Sequence, residues 1–456
     1  MRRRIPVGTL GRTGMAHRSP PPTPFVRAPS RRGVTALAVV VLIGTLAACG
    51  ITADEPTAQS VAPTVTPSAP PPGTPSTTTA VATGPEMFDH SLVHEISAVF
   101  DDVAYREMID TFAATGDKEW IEATVTLDGV SYDQVGMRLK GSSSLSALRN
   151  DVSASSDATG DAAVPETLPW LIRLDRFDED QHHQGLVDLV VRPNASTTAL
   201  NEAVALELLD VAGLATQKAV ATGFSVNGSD PVLRLVIEHP DDVWMAENFG
   251  ADGALYKSEA EGDWSDRGDD PDTYDDVFDQ EAGDDTADLD PLIDLIEFLD
   301  SSDDARFAAE LPTRLDIEAF ATYLAAQDLI SNHDDIDGRG NNSYLYLDPA
   351  TGRFTVVAWD HNLAFGAFGA LPPGSGPGAL GGSNVLADRF HAEPEFEARY
   401  QEKLTALRTR FYDEGAATEI LDHWVTLLQT EAADLVDPTV VTEEAAVITP
   451  YFGIGP

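Results

Sequence analysis

The chain has 456 residues, with 75 acidic against 29 basic side chains and a net charge of −46. So acidic a surface excludes unspecific nucleic-acid binding, and adhesion to anionic lipid other than through an anchor. One cysteine in the whole chain excludes a disulfide framework and a cysteine-based zinc site.

Residues 1–48 hold eight arginines and no acid. Val34 to Ala47 is an apolar run behind Arg31 and Arg32, the length of a signal-peptide core and short for a transmembrane helix. It ends Leu46-Ala47-Ala48-Cys49-Gly50, which resembles a bacterial lipobox. Residues 1–49 then read as a leader, with Cys49 as the lipidated residue that holds the protein on the outer face of the cell membrane. The plainer alternative is an uncleaved anchor with an incidental cysteine. Residues 50–86 are Pro, Thr, Ser and Ala, too poor in large apolar groups to offset the entropy of ordering, and read as a disordered tether. Without the eight leader arginines, 21 basic residues remain against 75 acidic, a mature charge of −54.

From Met87 the pattern is that of a folded α+β domain, expected to run to 436 with 437–456 as an ill-defined tail. His94 to Phe100 reads as a strand and Asp101 to Ala113 as a helix stopped at Thr115-Gly116. Ile121, Ala123, Val125 and Leu127 alternate, and Gly129 turns the chain into Tyr132 to Lys140. That hairpin delivers Lys140-Gly141-Ser142-Ser143-Ser144, which could hold phosphate oxygens or be a solvated polar turn. Residues 149–168 read as an exposed loop. Pro169 to Leu174, carrying Arg173, and Leu186 to Arg192 read as strands. Asn194 to Thr197 offer caps for an amphipathic helix over Ala199 to Ala212, with Glu202 and Glu207 on it and Gly213 behind it.

Lys218 to Val226 and Val232 to Glu238 are apolar strands around Asn227-Gly228, read as the centre of a sheet. Glu238 follows as a candidate ligand-binding acid, then a short helix through Trp244 and Met245 and a short strand ending at Lys257. The acidic stretch from Glu259 to Asp290 reads as a loop insertion that could take up Ca²⁺, although no spacing matches an EF-hand. Helices are expected over Pro291 to Leu299, Ala305 to Leu311, Asp316 to Ser331, Glu393 to Thr409 and Glu414 to Leu435. Leu371 to Gly382 reads as a mobile Gly- and Pro-rich loop.

Chemistry is written most clearly in Asn332 to Gly366, NHDDIDGRGNNSYLYLDPATGRFTVVAWDHNLAFG. Ser343 to Leu347 and Arg353 to Trp359 form a predicted hairpin around Asp348-Pro349-Ala350-Thr351-Gly352. Pairing the arms brings Asp334, Asp335, Asp337, Asn341 and Asn342 close to Asp360, His361 and Asn362. Oxygen ligands gathered at one end of a sheet suit a hard cation such as Mg²⁺, and through it a phosphate. Asp337 and Asn342 also have the D-x-x-x-x-N spacing of a kinase catalytic loop, with Asp360 one hairpin later. A polar hairpin with Asx-turns at its ends is the competing reading.

The hairpin motif resembles the signature of the spore-coat CotH kinase family, secreted or surface proteins with an atypical protein-kinase-like fold. Looser matches are Gly136 to Ser144, Asn201 to Gly213 and Gly253 to Lys257, so the resemblance covers about Phe88 to Phe368. It implies two lobes with a site between them, and transfer of the ATP γ-phosphoryl group to Ser or Thr of a protein acceptor at the cell envelope. It further implies Asp360 as a ligand of Mg²⁺ or Mn²⁺, with Asn342 or Asn362 completing the shell. A loop Asp would orient the acceptor hydroxyl. Asp337 has the spacing to Asn342, while Asp334 fits the Asn332-His333-Asp334 element if three residues are inserted after it. Lys140 or Arg173 would stand for the kinase lysine, paired with Glu202 or Glu207; the plainer reading of both glutamates is a solvated helix face. Asn362 stands where the family often has a second Asp, which removes a negative ligand. A kinase-like module that binds metal or an envelope partner without turnover is the alternative, because ATP is scarce outside the membrane.

Overall fold

The computed structural model describes residues 85–453 except 142, 152–163, 251, 260–263, 284–287, 339 and 370–382. Cys49, the tether up to residue 84 and the Gly/Pro-rich segment 371–382 lie outside the described residues.

The first half of the domain is a barrel. Its elements are β1 (Val93–Phe100), α1 (Asp102–Thr115), β2 (Ile121–Leu127), β3 (Val130–Leu139), α2 (Ser146–Asp151), β4 (Trp170–Arg173) and β5 (Asp188–Val191). They continue with α3 (Leu200–Val211), β6 (Ala219–Val226) and β7 (Val232–Glu238). The strands close in the order β1-β2-β3-β4-β5-β7-β6, antiparallel except where β1 meets β6. Alternation along β2 puts Ile121, Ala123, Val125 and Leu127 into the barrel core with Ile96, Ala98, Met137 and Leu139. Asp128 and Gly129 both have positive φ, the backbone that a tight two-residue hairpin loop requires. Asp101 caps α1 by accepting from Val103 and Ala104, and Gly116 ends it in the left-handed region.

The second half begins with α4 (Asp242–Asn248), β8 (Ala254–Ser258), β9 (Phe278–Gly283), α5 (Asp290–Ser301), α6 (Asp304–Glu310) and α7 (Ile317–Leu329). After them come β10 (Ser343–Asp348), β11 (Arg353–Ala358), α8 (Val385–Ala392), α9 (Pro394–Arg408), α10 (Ala416–Glu431) and α11 (Pro438–Ile448). Its sheet runs β11-β10-β8-β9, all antiparallel. The predicted hairpin is therefore real, with Leu345 opposite Val356, and β10 also pairs with β8.

Three expectations change. The acidic stretch from Glu259 to Asp290 is not all loop: Phe278–Gly283 is β9, an edge strand beside β8. Only Phe278 and Ala282 of it are buried, so its polar face hid the strand pattern. Helix α3 is not a surface helix with one apolar stripe, since even Asn201 and Glu202 are buried. It lies between the barrel and the C-terminal helices α10 and α11, which leaves little of it for solvent. Residues after 436 are not a loose tail, because α11 buries Val441 and Ile448, and Tyr451 follows it into the core.

Candidate active site

Local chemistry sets the loops around the hairpin. Asp335 Oδ1 accepts from the Asp337 amide at 3.2 Å, an Asx-turn. The Tyr323 hydroxyl on α7 accepts from the Ile336 amide at 3.3 Å. Behind them Asn332 donates to Gln327 Oε1 at 2.9 Å, and Gln327 Nε2 donates to His361 Nε2 at 3.2 Å. Burial pushes the His361 imidazole down to about 4, so it is neutral and can accept. This buried column ties the loop before the hairpin to the loop after it. The loops also meet directly, the Trp359 amide donating to the Asn342 carbonyl at 3.2 Å. Asn342 Nδ2 donates to the Asp334 carbonyl at 2.7 Å. Asn342 and Asp360 both adopt positive φ, the left-handed backbone that Asn and Asp tolerate best.

Three parts of the fold then line one cleft of about 380 Å³. The barrel contributes Lys118, Arg138, Lys140, Gly141 and Arg192. Strands β8 and β9 bring Lys257, Ser258, Glu259, Asp279 and Glu281. The hairpin loops supply Asp334, Asn341, Asn342, Trp359 and Asp360.

Of the sequence-predicted site residues, Lys140, Asp334, Asn342 and Asp360 thus share the cleft. Asp337 does not line it; its carboxyl is pushed up by burial, and the charges that bear on it are His391 and Asp388 of α8. Asn362 is held by its backbone, whose carbonyl accepts from Asn201 Nδ2 at 2.6 Å, and its side chain is not part of the lining. Glu238 is also elsewhere, bonded to Lys218 Nζ at 3.0 Å and to the Lys218 amide at 2.8 Å. Ser144 is not on the cleft wall, and Ser142 is outside the described residues.

The ion pairs differ from those expected. Glu202 meets neither Lys140 nor Arg173 but Arg192, at 2.8 Å, and the same guanidinium binds Asp360. Glu207 on α3 accepts from Trp424 Nε1 at 2.6 Å. Arg192 and Glu202 are almost fully buried. Burial raises the Glu202 carboxyl against the pull of Arg192, and the two acids hold Arg192 protonated against its own burial. Arg173 is bound through Nε to Asp188 Oδ1 at 2.8 Å, and by a second, shorter bond from Nη2 to Oδ2. Lys140 Nζ is 2.9 Å from His239 Nε2 and 3.9 Å from Glu281. Burial is the main cause that lowers the Lys140 amine to about 8; Glu281 opposes it, and Lys257, Arg138 and Lys118 add to it.

A cluster of cations that raise one another's energy is a place where an anion is favoured. The neighbouring oxygens suit a hard divalent cation. Asn341 Oδ1 is buried on this wall and has no hydrogen-bond partner, so the residues present fit such an ion with Asp360 and Asn342. Among the described residues, three His, Asp or Glu side chains lie close enough to share a metal at Asp188, His239 and Asp241, a different place. Asp188 there is already held by Arg173.

A family model described as CotH kinase protein matches residues 166–442. The chain belongs to the CotH kinase protein family. Over 207 residues it is 25% identical to the inner spore coat protein H of Bacillus subtilis (strain 168), a match covering 44% of this chain and 56% of that protein. The CotH family match takes in Arg192, Glu202, both hairpin loops and the start of α11. It starts later and ends later than the segment Phe88 to Phe368, and Lys118, Arg138 and Lys140 lie upstream of it. Arg138 had a signal in the sequence, since it stands two residues before Lys140 and so on the same face. Arg192 had none: Glu202 is ten residues away in the chain and Asp360 is 168.

Proposed function

We propose that this CotH kinase family protein is an extracytoplasmic lipoprotein that moves the γ-phosphoryl group of ATP to Ser or Thr of a protein, aided by Mg²⁺ or Mn²⁺. One observation carries the reading. In a chain of net charge −46, five cationic side chains and the oxygens of both hairpin loops converge on one cleft. Family membership supports the kinase-like chemistry, and the name of the spore-coat relative supports a place outside the cytoplasm.

Asp360, Asn342 and Asn341 are the residues that would hold the cation. When bound, it supplies charge neutralisation across the phosphates. Lys140, Arg138 and Lys257 face the same space and would bind phosphate oxygens. The buried pair Arg192–Glu202 takes the part that a Lys–Glu pair plays in protein kinases, with Arg192 as the cation at the cleft wall. Asp334 is favoured over Asp337 as the group that orients the acceptor hydroxyl and receives its proton, because Asp334 lines the cleft. The hydroxyl oxygen bonds to the γ-phosphorus, the bond to the β–γ bridging oxygen breaks, and ADP leaves.

The test is incubation of the purified protein with labelled ATP, Mg²⁺ or Mn²⁺ and a mixed protein acceptor. Label in the acceptor or in the protein itself is the expected result. Nucleotide binding without transfer would support the second reading, a module that binds metal or an envelope partner. The Arg192–Asp360 ion pair favours the envelope-partner form of that reading, since it already engages the proposed metal ligand. Absence of nucleotide binding would sink the kinase reading.

A further inference from the structure

A line of hydrogen-bonded groups runs through the barrel wall to the cleft. Arg173 on β4 binds both oxygens of Asp188 on β5. Asp188 Oδ2 lies 3.1 Å from His239 Nδ1, and His239 Nε2 lies 2.9 Å from Lys140 Nζ. Asp188 and His239 have side chains 0% and 1% exposed, and Lys140 is 11% exposed where it enters the cleft. The chemistry fixes the protons. An ammonium only donates, so His239 Nε2 must accept, and Nδ1 must carry the hydrogen that goes to Asp188. Asp188, clamped by Arg173, cannot rotate to release that tautomer.

Lys140 has a competing partner. Glu281 Oε1 stands 3.9 Å from Nζ, beyond hydrogen-bond length but within reach of a small rotation. Closing that gap would turn this long ion pair into a hydrogen-bonded one and take the amine away from any ligand in the cleft. We propose that His239, locked in its Nδ1–H tautomer by Asp188 and Arg173, is a positioning residue that holds Lys140 off Glu281 and presents its amine to an anionic phosphate ligand. The identity of the ligand rests on the kinase reading; the positioning does not. The charged groups bearing on Lys140 are Glu281 from β9, Lys257 from β8, Arg138 from β3 and Lys118 before β2. Burial and the Lys140 charge both keep His239 below its ordinary value, against the pull of Asp188 and Glu281, so the proton sits on the lysine and not on the ring.

The experiment uses the full chain and reads Lys140 directly, by the pH dependence of its reductive methylation followed by mass spectrometry. Wild-type Lys140 is expected to titrate near pH 8. In His239→Leu the amine pairs with Glu281, and its titration moves up toward the ordinary lysine range. Adding Glu281→Gln reverses that move, and His239→Gln, whose amide oxygen can still accept from Nζ, stays close to wild type. Inorganic triphosphate serves as the binding probe: His239→Leu weakens it about tenfold or more, the loss of one charge-assisted contact, and Glu281→Gln restores part of the loss. Because a buried variant can misfold, ¹⁵N-histidine spectra of the wild type provide a second measurement, expected to show His239 protonated on Nδ1 alone through neutral pH. A ring protonated on Nε2, or an unmoved Lys140 titration in a folded His239→Leu protein, overturns the proposal. If the titrations behave as stated while triphosphate does not bind, the kinase reading fails and the positioning role stands.

Discussion

Arg192 is shared between two carboxylates with different duties, one on a buried helix and one on the cleft wall. Removing Glu202 leaves a buried guanidinium with half its compensation. Glu202→Ala is expected to destabilise the fold by about 3–5 kcal/mol in denaturant titration, the usual cost of breaking a buried pair from one side. Asp360 is the opposite case, with a side chain 26% exposed and open to the cleft. Asp360→Ala should abolish divalent-dependent ATP binding in calorimetry while the protein still melts cooperatively. Unchanged Mg²⁺-ATP affinity would make Asp360 a structural partner of Arg192 only. Asp334→Asn should stop phosphoryl transfer and keep nucleotide affinity, because orientation of the hydroxyl counts mainly in the transition state. Asp337→Asn should retain transfer. Its carboxyl is raised by burial, so the ionised form costs stability at neutral pH and the cost fades as pH falls through the raised value. The amide should therefore leave stability at neutral pH unchanged or higher. Lys140 sets a pH limit in the other direction. Its depressed amine keeps its charge below about 8, so affinity for the triphosphate should fall as pH rises through that value.

At the scale of elements, the loop that leads into α3 is held from the far end of the chain. Glu444 on α11 accepts from the amides of Thr197 and Thr198 at 2.9 and 3.0 Å, from Ser196 Oγ at 2.7 Å, and from the Thr198 hydroxyl. Within the loop, Ser196 Oγ accepts from the Ala199 amide at 3.1 Å and Thr198 Oγ1 from the Leu200 amide at 3.3 Å. The side chains that looked sufficient in sequence are thus themselves held by a residue some 250 positions away. These hydrogen bonds outweigh partial burial and hold the Glu444 carboxyl below its ordinary range. Its contribution is present above the unfolded value and is lost as pH falls through the lowered one. Glu444→Ala should cost about 1–2 kcal/mol at neutral pH, the loss for half-buried donors left without an acceptor, and the cost should shrink in acid. Since α3 carries Glu202 and Asn201 to the hairpin loops, the same variant should also weaken nucleotide binding. An unchanged affinity would show that α3 is held well enough by its packing.

For the whole molecule, the question is how a chain so acidic admits a polyanion. At physiological salt the screening length is about 8 Å, so the distant acidic surface is largely muted and the charges of the cleft decide, five cations that the ligand meets beside five carboxylates, Asp360 among them as the proposed metal ligand. Raising ionic strength should therefore weaken triphosphate binding; strengthening would mean that the acidic surface governs approach. Among the described residues no helix is long and apolar enough to cross a membrane. On the proposed lipoprotein reading Cys49 is the point of attachment, and Cys49→Ser should then move the protein from membrane pellets to the soluble fraction. A variant that stays in the pellet with its leader intact points to a plain anchor.

The hairpin from Ser343 to Trp359, the helices that start next to Asp101 and Asp316, and the turn at Gly129 were legible in the sequence because each depends on residues a few positions apart. Strand β9 was not, because an edge strand with one buried face can carry polar residues on the other and lose the apolar pattern. The oxygen donors of the site could be read as a motif, since one hairpin brings them together. Which cation meets which acid could not. Arg192 finds Asp360 across 168 residues, Lys140 finds His239 across 99, and Glu444 finds Ser196 across 248. A charge in a sequence carries no record of its distant partner, and closure of the barrel and packing of α3 make that choice.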